Sequence, residues 1–262
     1  MKRLSTLVLL LAFSSAYAEP CVDEKDQKRV TGVSECLLTR HYGPESAPHL
    51  LIWLHGDGST GGPANYHFPI AEKAAATLAA QNVQAVALVR PGYPDGEGGV
   101  STVAADQGGR SDHYTRQNTD EVAGAIRRLK ERHQARDVTV IGHSGGAATT
   151  AIILGTHPGL IDNAVLVACP CDLVPWRAGR RAWNRSENPR VWIEHVATTT
   201  RVLALTGSRD DNTLPELAQH YVESLAARGV NARYVEIANA THNSAFRATE
   251  VTEAISSLLA AP

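Results

Sequence analysis

Six short apolar runs alternate along the chain with segments in which apolar residues return every three or four positions. The runs are His49 to Leu54, Val83 to Val89, Val138 to Ile141, Asn163 to Ala168, Arg201 to Thr206 and Ala232 to Ile237. They are short, rich in Val, Ile, Leu and Ala, and read as strands of a covered sheet. Between them, Asn118 followed three residues later by Glu121 predicts a capping box for a helix that carries Val122, Ile126 and Leu129 on one face. Another helix bears Leu217, Tyr221 and Leu225 and stops at Gly229; a last one bears Val251, Ile255 and Leu258. Alternation of this kind implies an α/β fold, a mostly parallel central sheet with helices on both faces. Ligands of such sheets gather at the carboxyl ends of the strands.

At one of those ends the chain reads Gly142-His143-Ser144-Gly145-Gly146, directly after Val138 to Ile141. A strand that reverses into a helix within one or two residues crowds the backbone around the turning side chain, so this spacing needs glycines on either side. The turn pushes the Ser144 hydroxyl out above the sheet, a candidate nucleophile. The helix that follows points its N-terminus at the site and favours negative charge there. A serine hydroxyl is a poor nucleophile at neutral pH and needs a base, itself oriented by a third group. Two later strand ends supply both: Gly207-Ser208-Arg209-Asp210-Asp211-Asn212 after Arg201 to Thr206, and Ala240-Thr241-His242-Asn243 after Ala232 to Ile237.

The order Ser144, Asp210, His242 is the chain order of α/β-hydrolase triads, and from His49 to the C-terminus the sequence resembles that superfamily. Gly207 to Pro215 is similar to the acid loop of dienelactone hydrolases and prolyl-oligopeptidase catalytic domains, and Trp183 to Pro189 to the segment preceding it. No propeller precedes the domain, which counts against a close oligopeptidase relative. The family spacing favours Asp210 as the acid; Asp211 and Asp172 are its rivals. His55-Gly56-Asp57-Gly58 looks like the H-G-x-G oxyanion loop of esterases and lipases, which implies one donor on Gly145 and the other on Asp57 or Gly58. Arg90-Pro91-Gly92-Tyr93 is similar to the loop after the fourth strand of many members, and Tyr93 is a candidate substrate contact. His143 is expected to pack under the turn, His55 to brace its loop, and His220 to lie on a helix surface.

Residues 173–200 form the longest insertion between strands, where the resemblance implies a small cap. It holds Trp176, Trp183 and Trp192 with Arg177, Arg180, Arg181, Arg185 and Arg190. It could roof a pocket, with Trp176 and Trp183 touching an aromatic or anionic substrate, or be a solvated face whose tryptophans pack on the sheet. No continuous apolar lid of the lipase kind is present in it.

At the N-terminus, Lys2 and Arg3, an apolar stretch from Leu4 to Phe13 and Ala16-Tyr17-Ala18 read as a signal peptide cleaved after Ala18. The stretch is too short to span a bilayer, and Cys21 lacks the small and apolar residues that precede a lipidated cysteine. The expectation is an exported protein, periplasmic or secreted, with no membrane anchor in the mature chain, 19–262, which reads as a single domain. Cleavage removes two of the 25 basic and none of the 27 acidic residues, so the net charge falls from −2 to −4, and nothing points to nucleic acid. Four cysteines in an exported chain read as disulfides, Cys21 with Cys36 the firmer pair. A bridge between Cys169 and Cys171, at one strand end, would be strained. Neither the cysteines nor the 11 histidines have metal-ligand spacing.

The sequence thus reads as an exported serine hydrolase, foremost a carboxylesterase of small soluble esters, needing no cofactor or metal. A peptidase or amidase with the same triad is the alternative, and a non-catalytic binding protein of the same fold the third.

Overall fold

The structure is a computed structural model that describes residues 21, 26–58 and 61–260. The expected signal peptide, with cleavage after Ala18, lies outside the described residues.

Eight strands form one sheet, in the order β1 (Arg29–Thr31), β2 (Cys36–Tyr42), β4 (Val83–Leu88), β3 (His49–Leu54), β5 (Asp137–His143), β6 (Asn163–Val167), β7 (Arg201–Gly207) and β8 (Asn231–Ile237). All neighbours from β4 to β8 pair parallel; β1 and β2 are antiparallel. The six apolar runs are β3 to β8. The first two strands carry no comparable signal, because β2 ends on the half-exposed Arg40, His41 and Tyr42 and is held by pairing with β4. A disulfide joins Cys21 to Cys36 at the start of β2.

Successive side chains of a strand point to opposite faces, and β3 shows the result. Leu50, Ile52 and Leu54 join one core with Val122 and Ile126 of α2 (Arg116–His133), Ala147 and Ala151 of α3 (Gly145–Thr156), and Tyr221 and Leu225 of α5 (Pro215–Ala227). Leu51 and Trp53 join the opposite core with Phe68 and Ala71 of α1 (Phe68–Thr77) and Val251, Ile255 and Leu258 of α7 (Thr249–Ala260). Two short helices, α4 (Leu173–Trp176) and α6 (His242–Ala245), lie above the carboxyl ends of the strands. Gly229 follows α5 with φ +84°, the left-handed turn that ends a helix.

The expected capping box is not formed. The N-cap of α2 is Thr115, whose hydroxyl accepts from the Asn118 amide at 3.3 Å. Asn118 is buried and its amide group donates to the carbonyls of Gln107 and His113. Glu121 is recruited by a tertiary partner: its carboxylate accepts from the amides of Val33 (2.6 Å), Ser34 (3.1 Å) and Glu35 (3.0 Å), closing the turn between β1 and β2.

Within 173–200, a 3-10 turn at Pro189–His195 packs on α3, where a Cβ on Gly155 would lie 2.4 Å from the Trp192 carbonyl. Cys169 and Cys171 are bonded to each other and buried. They lie beyond β6, past a turn at Ala168 with φ +51°, and not in the strand end itself.

Candidate active site

Ser144 sits between β5 and α3 with φ +51° and ψ −115°, a region that costs a residue with a Cβ about 1–3 kcal/mol. The surroundings hold it there. The Ser144 amide donates to the Val167 carbonyl of β6 at 2.8 Å. A Cβ on Gly142 would lie 2.5 Å from the Gly146 carbonyl, and one on Gly146 2.5 Å from the Leu54 carbonyl, so both positions are closed to any larger residue. Gly145 is closed by chemistry: its Cβ would fall on the Asp57 carboxylate.

His242 opens α6, held by a capping box between Thr241 and Ser244. Its Nε2 lies 3.0 Å from Ser144 Oγ and its Nδ1 2.9 Å from Asp210 Oδ2. Asn212 Nδ2 stands 3.3 Å from the same Nε2. Asp210 is buried and accepts the amides of Asn212 (3.0 Å) and Thr213 (2.8 Å) on Oδ1 and the Thr213 hydroxyl (2.8 Å) on Oδ2. Burial by itself would raise this carboxyl, but the hydrogen bond and charge of His242, with the two bonds from Thr213, hold it below the ordinary carboxylate value. Asp211 is exposed. Asp172 caps α4 and accepts from Val174 and Asn188. Neither rival acid has a bond to His242.

His143 lies under the turn, stacked on Phe246 at 4.7 Å between ring centroids. Burial, then the nearby His242, lowers its pKa to about 4, so it is neutral and its two nitrogens have fixed roles. Nδ1 accepts from Tyr66 Oη (2.7 Å), while Nε2 donates to the His242 carbonyl (3.0 Å). Tyr66 Oη in turn accepts the Gly56 amide, so one neutral chain links the loop at 55–58 to the backbone of His242. The Gly56 amide is thereby occupied. Gly145, first in α3, has no intrahelical acceptor for its own.

His55 braces its loop as expected, donating from Nδ1 to the Gly56 carbonyl and accepting the Arg90 amide on Nε2. Asp57 turns its carboxylate inward, to Arg90 Nη2 (2.7 Å) and Tyr114 Oη (2.5 Å). Tyr93 does not line the cleft: it is fully buried and donates to the Asp57 carbonyl at 2.8 Å, making it a brace for the loop. His220 is exposed on α5.

A cleft of about 820 Å³ opens over Ser144 and His242. Trp176 and Trp183 line it, packed edge to face at 5.0 Å, and Trp176 Nε1 donates to the Asn212 carbonyl of the acid loop. Of the five arginines in 173–200 only Arg177 and Arg180 reach it. Arg185 turns to the Asp106 carbonyl, Arg190 to Ser224 on α5, and Arg181 lies exposed outside. The expected cap therefore splits, one half lining the cleft and the other, with Trp192, packing on α3. Arg110, Tyr66 and Arg247 also line the cleft; they come from irregular segments with no periodic pattern. Only Thr213 had a local sign, a threonine three residues after Asp210 in a turn.

The sheet order, the strained serine turn and the placement of these side chains at the strand ends define an α/β-hydrolase. The chain belongs to the family described as "Putative esterase", whose model matches residues 34–257, and is an esterase-type hydrolase. Among solved structures it is similar to Est1E from Butyrivibrio proteoclasticus with ferulic acid bound, at 16% identity and TM-score 0.67 over 89% of this chain and 99% of that one. The Pyrococcus furiosus esterase Pf2001 matches at 15% identity and TM-score 0.62, over 88% of this chain and 87% of that one. A prolyl endopeptidase matches at 18% identity and TM-score 0.63, over 88% of this chain but 37% of its own length. No curated protein matches the chain significantly.

Proposed function

We propose that the protein is an exported carboxylesterase that cleaves small soluble esters through an acyl-enzyme on Ser144. The observation that carries this reading is the continuous hydrogen-bonded series Asp210, His242, Ser144 at the floor of an open cleft. Ser144 Oγ attacks the ester carbonyl as His242 Nε2 takes its proton, and Asp210 holds the proton of Nδ1 in place. The amide of Gly145, with that of Asp57 or Gly58, stabilises the oxyanion, each donor worth about 3 kcal/mol in the transition state. His242 then protonates the leaving alcohol, and water activated by the same imidazole releases the acid. The Cys21–Cys36 and Cys169–Cys171 bonds support an oxidising compartment.

Amide hydrolysis is the second reading, favoured by the similarity to a prolyl endopeptidase. The two readings share every step up to the leaving group, so an ester and its matching amide, assayed together, separate them. The decisive test of the mechanism is fluorophosphonate labelling of the mature protein with peptide mapping. Stoichiometric adduct on Ser144, lost together with ester turnover in a folded Ser144→Ala variant, is the expected result. A folded wild-type protein that takes up no label refutes the reading.

A further inference from the structure

The cleft over Ser144 is lined by four arginines drawn from three segments. Arg110 comes from the loop between β4 and α2, Arg177 and Arg180 follow α4, and Arg247 follows α6. Among the described residues none of the four has a carboxylate within 4.0 Å, whereas Arg40, Arg90, Arg116, Arg136 and Arg228 each do. Among the described residues the one acid lining the cleft, Asp57, is bound to Arg90. Asp112, close in sequence to Arg110, has its carboxylate taken by the amides of Asn184, Arg185 and Ser186. This concentration of positive charge is local, since the whole chain has a net charge of −2.

Three of the guanidiniums are also held in place without being neutralised. Arg110 donates to the carbonyls of Gly58 (3.0 Å) and Gly62 (2.7 Å) and lies over the Tyr93 ring. Arg177 lies 5.2 Å and 5.1 Å over Trp176 and Trp183 and donates to the Arg181 carbonyl. Arg180 reaches Asn212 Oδ1 at 3.5 Å. Arg177, which gives only its Nε to a carbonyl, keeps the edge of its two terminal nitrogens free, and such an edge fits a carboxylate.

We infer that this wall is a carboxylate subsite, and that the substrates are esters carrying a second, free carboxylate on the acyl or the alcohol side. The inference rests on the esterase reading and adds the substrate class to it. Positive charge along the cleft raises the local concentration of such an ester, and the stacked tryptophans give a flat apolar surface beside the charge for its carbon body.

The test uses the mature wild-type protein and two matched pairs of esters: 4-acetoxybenzoate against 4-acetoxybenzamide, and mono-4-nitrophenyl succinate against 4-nitrophenyl succinamate. In at least one pair kcat/KM for the carboxylate is expected to exceed that for the amide by about tenfold at low ionic strength, and the ratio to shrink at about 0.5 M salt. Arg177→Gln with Arg180→Gln lowers that ratio about tenfold, at roughly threefold for each partly exposed charge. The corresponding lysine variants, which keep the charge but lose the stacked fork, keep only part of it, and Arg181→Gln, outside the cleft, leaves it unchanged. Ratios near one in both pairs, with the neutral esters still hydrolysed, overturn the inference and leave the esterase reading standing. A folded protein that hydrolyses no member of either pair overturns both.

Discussion

Replacing Asp210 by Asn changes a single oxygen, and the structure dictates where the amide nitrogen must go. Oδ1 accepts two backbone amides, from Asn212 at 3.0 Å and Thr213 at 2.8 Å, so an asparagine keeps its oxygen there and presents NH₂ in the place of Oδ2. That position faces His242 Nδ1 at 2.9 Å; Oδ1, 3.1 Å from the same nitrogen, already has both lone pairs taken by the two amides, and the Thr213 hydroxyl, 2.8 Å from Oδ2, turns to accept from the new NH₂. An NH₂ group cannot accept from Nδ1–H, and the imidazole responds by moving its proton to Nε2. Nε2 then points a hydrogen at Ser144 Oγ, 3.0 Å away, and can no longer take the serine proton. A wrong tautomer of this kind lowers kcat by about 10⁴-fold in triad hydrolases, or about 5 kcal/mol of barrier. Asp211→Asn, on an exposed residue beside it, should change kcat less than about twofold, as surface substitutions generally do. The assay is steady-state hydrolysis of a nitrophenyl ester by both variants, with circular dichroism to establish that each is folded. Equal losses in the two variants, or a loss under tenfold for Asp210→Asn, would refute the tautomer argument.

Two further predictions concern the frame around the site. His67, His113 and His143 are kept neutral chiefly by burial, at about 3, 4 and 4, against about 6.5 in the unfolded chain. Between those values the unfolded chain binds protons the folded one refuses. Stability is therefore full above about pH 6.5 and falls as the pH drops towards 4, and these three histidines contribute about 4 kcal/mol per unit to the slope near pH 5, with His41 and His55, also lowered by burial, adding to it. Urea unfolding across that range measures it, and a flat profile would mean that these rings are not buried neutral. For Glu121, which accepts three amides of the β1–β2 turn, an Ala substitution should cost about 3 kcal/mol and lower Tm by about 9 °C. Catalysis at 25 °C should be unaffected; an unchanged Tm in calorimetry would show that the turn holds without the carboxylate.

The sequence alone determined the layered architecture, because burial on both faces of a strand leaves an apolar run and a helix covering it leaves a 3.6-residue period. β3 to β7, α2, α5 and α7 were legible on that ground, as was the crowded turn at Ser144, where only glycine fits beside backbone; β8 is an edge strand largely open to solvent, and its run is broken by Arg233 and Glu236. Both signals are local. Wherever the decisive contact is long-range, the local sign is silent or misleads. Glu121 has the spacing of a capping residue yet is claimed by amides about ninety positions away, and Tyr93, conspicuous in its loop, is buried as a brace beneath Asp57. Of the arginines in the cap, sequence could not separate Arg177 and Arg180, which face the cleft, from Arg181, Arg185 and Arg190, which do not. Arg110, Tyr66 and Arg247 join them only because three strand ends bring their loops to one edge of the sheet. A loop has no periodicity to report which way its side chains point, so the shape and charge of the cleft were decided by the packing of loops on one another.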